Sequence, residues 1–264
     1  MDIKMVVCDL DNTLLKDDKS ISNYTIDILH KCQKKGIKFA IATARNKPWI
    51  KNIENIITPD VIISDGGCMA WAASKWAANQ LVYSQLLDFE DIQALLQTLL
   101  SKNSKMYISA ESTTHHYVSH KKNNDKHTRA VAAGKIVETA NFAEPLGTLI
   151  YKITAKINLQ DAKDVADSLE NIDATPFSNQ KWVRFAHANA TKYKALQAAA
   201  SYIGINMKHI AAFGDDVNDI EIIDKCGVGV CVENGVDQAK AVASHICPSN
   251  EKDGVAKWIE QNLF

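Results

Sequence analysis

The sequence predicts an α/β fold, in which a doubly wound, mostly parallel core sheet is interrupted by an inserted α+β segment. Three observations carry that expectation. Short continuous apolar runs recur in both halves of the chain, helix-patterned stretches separate them, and the middle of the chain follows a different rhythm. Continuous rather than alternating runs suit parallel strands covered on both faces. Strands that alternate with helices define βαβ units.

The elements follow in order. Residues 3–8 form an apolar run that ends at Asp9, residues 37–42 one that ends at Thr43, and residues 60–64 one that ends at Asp65-Gly66-Gly67. Residues 210–213 lead into Gly214-Asp215, and residues 227–232 and 245–247 give two further short strands. Ile21, Ile28, Leu29 and Cys32 make an apolar helical stripe that Gly36 terminates. Further helices are expected over residues 192–202 and 255–261. From about residue 83 to 184 the order is a helix (88–100), strands (105–109, 149–157), a helix (161–169) and a strand (181–185). Residues 1–82 and 185–264 are therefore expected to form the core domain, with 83–184 as an inserted domain. In open sheets of this kind ligands bind beyond the carboxyl ends of the strands, which is where the acidic and hydroxyl residues fall.

Composition narrows the classes of function. With 264 residues, 46% hydrophobic, 23% charged and a net charge of −1, the chain gives no reason to expect a nucleic acid polymer or an anionic membrane as partner. No apolar run approaches the roughly 20 residues of a membrane helix. Met1-Asp2-Ile3-Lys4 leads directly into the first strand without the layout of a signal peptide, so a cytoplasmic location is expected. The six cysteines include no Cys-x-x-Cys pair and read as reduced and buried.

Asp9-Leu10-Asp11-Asn12-Thr13-Leu14 follows the first strand. Two carboxylates two residues apart at a strand end call for a hard, oxygen-preferring cation such as Mg2+; a turn with two solvated aspartates is the alternative for that motif alone. Gly214-Asp215-Asp216-Val217-Asn218-Asp219 follows a second strand and opens a helix. Asp215 can complete a metal shell, while Asn218 and Asp219 fall on a first helical turn. An N-cap explains one aspartate there, not three with an Asn and a Gly. Thr43 offers a hydroxyl and Lys192 a fixed positive charge.

These four elements together resemble the haloacid dehalogenase superfamily, whose motifs are Asp-x-Asp-x-Thr, a strand-end Ser/Thr, a Lys and Gly-Asp-x-x-x-Asp. The insert between Thr43 and Lys192 lies where class IIB, Cof-like phosphatases carry a C2-type cap, and residues 213–220, 227–230 and 249–255 are similar to that class in detail. The resemblance implies a Rossmann-like core and a small-molecule phosphate ester as substrate. It makes Asp9 the nucleophile that becomes a phospho-aspartate and Asp11 the general acid and base. It implies Mg2+ held by Asp9, Asp215 and the main-chain carbonyl of Asp11, phosphate held by Thr43, Lys192 and Asn218, and a metal-bound water oriented by Asp219. Two positions depart from the pattern. Asn12 stands where relatives usually have Gly, which Asn can replace in a left-handed conformation, and Ala44 stands where many have Gly.

Dehalogenation is disfavoured, because Asp11 supplies an acid/base group that dehalogenases do not need. A phosphomutase of the same class, or a catalytically silent binding protein, remains as an alternative reading. In the insert, residues 119–136 carry five Lys/Arg and one Asp after His115, His116 and His120; the stretch reads as a solvated face, with contact to an anionic substrate as the alternative. Trp71 and Trp76 read as packing at the junction of core and insert. The sequence names neither the substrate nor the oligomeric state.

Overall fold

The computed structural model describes residues 2–73, 80–120, 131, 134–177 and 181–264. The chain divides into two compact units, Met1–Ser84 with Thr191–Phe264, and Gln85–Ala190. Trp76 and most of the basic stretch, including Lys121, Lys122, Lys126 and Arg129, lie outside the described residues.

The first unit begins with β1 (Met5–Cys8), α1 (Asn23–Lys34), β2 (Lys38–Ala42), α2 (Lys51–Ile57), β3 (Val61–Ser64), β4 (Met69–Ala72) and β5 (Gln80–Ser84). The second unit follows with α3 (Phe89–Lys102), β6 (Ile108–Glu111), β7 (His115–Val118), β8 (Ile136–Thr139), β9 (Lys152–Ala155), α4 (Leu159–Asp167), β10 (Ile172–Pro176) and β11 (Val183–His187). The chain returns to the first unit through α5 (Lys192–Tyr202), β12 (Ile210–Gly214), α6 (Ile220–Lys225), β13 (Val228–Val232), α7 (Asp237–Val242), β14 (His245–Cys247) and α8 (Gly254–Leu263).

The first sheet has the order β14-β13-β12-β1-β2-β3-β4-β5. It is parallel from β14 to β3 and antiparallel across β3, β4 and β5. The continuous apolar runs have the predicted cause, since every residue of β1 is buried. Val6 and Cys8 face one apolar cluster with Ile28, Leu29 and Cys32 of α1 and Trp258 and Ile259 of α8. Met5 and Val7 face the other, with Leu196 and Ala199 of α5 and Ile222 and Ile223 of α6. Helices therefore cover both faces, the doubly wound arrangement. Helix α1 starts where the Ser22 side chain accepts from Thr25 N and stops at Gly36, whose φ is +80°. Strands β4 and β5 add an antiparallel edge beyond the six runs legible in the sequence, and Trp71 on β4 packs against the first cluster.

The second sheet has the order β10-β11-β9-β6-β7-β8 and is antiparallel except for the β7–β8 pair. One face packs Ile108, Ala110, Ile153, Ala155, Val183 and Phe185 with α3 and α4 into a separate apolar cluster. The alternate residues Ser109, Glu111, Lys152, Thr154 and Arg184 take the opposite face, all buried.

Candidate active site

Strands β1 and β12 are parallel neighbours whose connections leave toward opposite ends of the sheet, β1 through α1 to β2 and β12 through α6 to β13. A crevice at such a reversal of strand order is where open α/β sheets hold ligands. Asp9 is the first residue past β1, and its N–H donates to Phe213 O of β12 at 3.0 Å. Asp215 is the first residue past β12. The glycine between Phe213 and Asp215 is required by close approach, since a Cβ on Gly214 would overlap the Asp219 side chain.

Lys192 opens α5, capped by Thr191, whose side chain accepts from Lys194 N. Its ammonium donates to Asp9 Oδ1 at 2.6 Å and to Asp219 Oδ1 at 2.7 Å. The start of that helix is pressed against the loop after β3. Gly67, at φ +99°, sits so close that a Cβ would overlap the carbonyl group of Thr191.

Asp215 Oδ1 accepts from the Thr13 hydroxyl at 2.6 Å, which ties the β1 loop to the β12 loop. Asp219 Oδ2 accepts from the N–H groups of Asp215 and Asp216, both at 3.2 Å. Asp216 caps the short 3-10 turn Val217–Asp219 by a capping box with Asp219. The expected helical turn at Asn218 and Asp219 is therefore a 3-10 turn that precedes α6. Asp9, Asp215 and Asp219 are all buried, and one carboxylate oxygen from each lies within 4.8 Å of the others. The second oxygens of Asp9 and Asp215 accept no hydrogen bond among the described residues. The side-chain oxygen of Asn218, also buried, has no hydrogen-bond partner among the described residues.

Burial pushes the Asp9 carboxyl well above its ordinary pKa; Lys192 opposes the rise, while Asp219 and Asp215 add to it. Burial likewise lifts Asp215 to about 6, against the lowering effect of the Thr13 hydrogen bond. For Lys192, burial disfavours the charge, but the Asp219 and Asp9 carboxylates outweigh it and raise the pKa of the ammonium. Three carboxylates thus face one ammonium. That imbalance, the unengaged oxygens of Asp9 and Asp215 and the orphaned Asn218 oxygen together fit a small hard divalent cation with oxygen ligands.

Asp11 points elsewhere. Arg45 grips its carboxylate through both oxygens, Nε to Oδ2 and Nη2 to Oδ1, each at 2.7 Å, and Lys19 Nζ lies 3.0 Å from Oδ1. Burial alone would raise the pKa of Asp11; the hydrogen bonds from Arg45 and Lys19 outweigh it and hold the carboxyl below its ordinary value. The Asp11 side chain is thus outside the acidic cluster, and its expected metal contact is through the main-chain carbonyl alone. Thr43, buried at the end of β2, donates its N–H to Ile63 O at 2.9 Å, and its hydroxyl oxygen accepts from Arg45 N at 3.1 Å. Its own N–H is thus engaged by the β3 chain, and the hydroxyl hydrogen is what remains for a ligand.

Arg45, Lys19 and Thr13 belong to this constellation without a role having been assigned to them from the sequence. Neither do Asn234 and Asn250, which brace the β1 loop: Asn234 Nδ2 donates to Asn12 O at 2.7 Å and Asn250 Nδ2 to Leu15 O at 3.0 Å. The loop they brace includes Asn12 at φ +63°, so the asparagine does take the left-handed conformation.

Comparison with known proteins gives the site a family. The sequence pattern of the haloacid dehalogenase-like hydrolases matches residues 6–259, so the chain belongs to that family. Its curated relatives include the 5-amino-6-(5-phospho-D-ribitylamino)uracil phosphatase of Bacillus subtilis, 24% identical with 97% of this chain and 96% of the relative covered. Another is a putative phosphatase of Buchnera aphidicola, 28% identical with 98% of each covered. Among solved structures, a subclass IIB sugar phosphatase of the same superfamily superposes with a TM-score of 0.83 at 20% identity, covering 98% of both chains. The chain is an enzyme of this family, of the phosphatase class.

Proposed function

We propose that the protein is a Mg2+-dependent phosphomonoester hydrolase that acts on a small phosphorylated metabolite through a phospho-aspartate on Asp9. In this reading residues 83–184 serve as a C2-type cap and the enzyme works in the cytoplasm. The observation that carries it is Asp9 itself. It is a strand-end carboxylate with Lys192 on one oxygen and the other oxygen unengaged, beside Asp215 and Asp219.

Each residue then has a task. Asp9 attacks phosphorus with its unengaged oxygen, and the ester oxygen leaves with a proton from Asp11; Arg45 and Lys19 favour the ionised form of Asp11 in the free enzyme, so the acid form arises when the negative phosphate group of the bound substrate raises its pKa. Asp11, then ionised, takes a proton from the water that hydrolyses the phospho-aspartate, which returns both aspartates to their starting state. Lys192, the Thr43 hydroxyl and the Asn218 side chain hold phosphate oxygens, and their fixed placement keeps attack in line. Asp9, Asp215 and the Asp11 carbonyl would hold Mg2+, which when bound would supply charge neutralisation at the phosphoryl group. Asp219 positions Lys192 and the Asp215 loop and would orient a water beside the cation. The names of the relatives favour phosphate esters of sugars and sugar alcohols as first substrates to test. The six cysteines, most of them buried, suit a reducing compartment, and no described helix is long and apolar enough to cross a membrane.

The test is release of inorganic phosphate from p-nitrophenyl phosphate and sugar phosphates with Mg2+, together with mass analysis of rapidly quenched enzyme. A phosphoryl group on the peptide that contains Asp9, and loss of turnover in a folded Asp9→Asn variant, are expected. An Asp9→Asn enzyme with appreciable activity would sink the assignment. Positional transfer without phosphate release would identify a mutase instead.

A further inference from the structure

The turn after β13 reaches two loops of the acidic cluster at once. Asn234 Nδ2 donates to Asn12 O in the β1 loop at 2.7 Å, and two residues on Val236 N donates to Asp215 O at 2.8 Å. Gly235 between them is required by close approach, since an added Cβ would lie 2.6 Å from Cys231 Sγ and 3.0 Å from Asp215 O. Asn250 N donates to Asn234 Oδ1 at 3.1 Å, so both ends of the Asn234 amide are engaged.

These contacts close a ring. From Asn12 the main chain passes to Thr13, whose hydroxyl donates to Asp215 Oδ1 at 2.6 Å. Asp215 O accepts from Val236, and the chain returns through Gly235 to Asn234 and so to Asn12. Asn12 sits in the ring at φ +63°, and the peptide plane that carries the Asp11 carbonyl turns with that angle. The Asp11 carbonyl oxygen accepts no hydrogen bond among the described residues, whereas the Leu10 and Asn12 carbonyls on either side are both engaged. A left-handed backbone costs a residue that has a side chain, and the Asn234 bond to Asn12 O helps to hold it.

We propose that this ring sets the spacing of the cation ligands, with Asn234 as a positioning residue, so that the site favours a small cation of strict geometry over a larger one. The inference rests on the reading above, in which Asp9, Asp215 and the Asp11 carbonyl hold Mg2+, and adds what fixes them. Asp215 is a member of the ring and Asp11 adjoins it, so a shift of either strains a hydrogen bond of the ring. Mg2+ demands near-octahedral oxygens at about 2.1 Å, while Ca2+ accepts a larger and more variable shell at about 2.3 to 2.6 Å. Loosening the ring therefore penalises Mg2+ and spares Ca2+.

The experiment measures the dissociation constants of Mg2+ and Ca2+ by isothermal titration calorimetry, without substrate, for wild type, Asn234→Ala and Asn234→Asp. Both variants lose the donor to Asn12 O. Aspartate keeps the size of the side chain and the acceptor for Asn250 N, which covers the case in which the alanine variant does not fold. Its added charge attracts both cations, so the readout is the ratio of the two constants. Mg2+ affinity relative to Ca2+ is expected to fall about tenfold in each variant, the effect of one hydrogen bond. A merely structural clasp would lower the metal-free Tm and leave the ratio unmoved. A wild type that binds Mg2+, with folded variants that keep its ratio, overturns this inference alone. A wild type that does not bind Mg2+ rejects the Mg2+ reading, and this inference with it.

Discussion

Among the described residues, Asp9, Asp215 and Asp219 share one buried cluster with a single ammonium, so two negative charges are left over if all three ionise. A divalent cation should therefore bind and stabilise the folded state by mass action. Addition of Mg2+ at millimolar concentration is expected to raise the Tm of the wild type by about 3 °C or more. Asp215→Ala should abolish that shift and the activity together, and an undiminished shift in Asp215→Ala would place the cation elsewhere. Asp11 invites a kinetic test. A general acid matters most for a poor leaving group, while the general base is needed for every substrate. Asp11→Asn should thus release a burst of p-nitrophenolate, near one per enzyme, followed by slow turnover, and show no burst with an alkyl phosphate. Equal impairment without a burst on both would remove Asp11 from the second step. Arg45 fixes Asp11 through a planar two-bond fork that Lys cannot reproduce. Arg45→Lys should cost roughly tenfold in kcat, one charged hydrogen bond's worth, and an unchanged kcat would make the pair incidental.

Helix α5 shows how an element delivers a functional group. Thr191 caps it, Ala195, Leu196 and Ala199 bury its inner face, and Gly67 permits its first turn to approach the loop after β3. Gly67→Ala combines a left-handed φ with overlap at the Thr191 carbonyl. It should destabilise the fold by on the order of 2 kcal/mol or more and lower kcat by displacing Lys192. A variant with wild-type stability to urea would show that the loop yields freely. Much of this was legible in the sequence. The range 192–202 is the helix observed, because its cap and small apolar residues act locally. Five of the six apolar runs are strands buried on both faces by parallel pairing, and the sixth, β14, is the exposed edge of the sheet. Other parts were hidden for physical reasons. Strands β7 and β8 of the second sheet are four residues long with polar residues on one or both faces, so they lack an apolar signature. Arg45 meets Asp11 across 34 residues of sequence, and only the parallel packing of β1 beside β2 brings the two together. Asn234 and Asn250 reach the β1 loop from still farther away, with no local spacing to announce them.

At the scale of the whole chain, each unit has its own sheet and its own apolar core, so acid should act on them by different groups. In the second unit the relevant carboxylate is Glu111, whose pKa falls from an ordinary 4.5 to about 2 because His116, Lys152 and Lys135 outweigh the effect of burial. A depressed acid binds its proton more readily in the unfolded chain. Its stabilising contribution is therefore present in full above about pH 4.5 and is lost as pH falls toward 2. A shift of this size corresponds to on the order of 3 kcal/mol. The contribution vanishes in Glu111→Gln, so the difference in unfolding free energy between wild type and variant should be largest at pH 6 and shrink steadily from pH 4.5 to 2.5. Hydrogen exchange locates the effect: on acidification amides of β6, β7 and β9 in the wild type should lose protection toward the level of the variant. A wild-type advantage that stays constant across that range would show that Glu111 stabilises by packing rather than by charge, and a loss of protection centred on β1 and β12 would assign the acid sensitivity to the first unit.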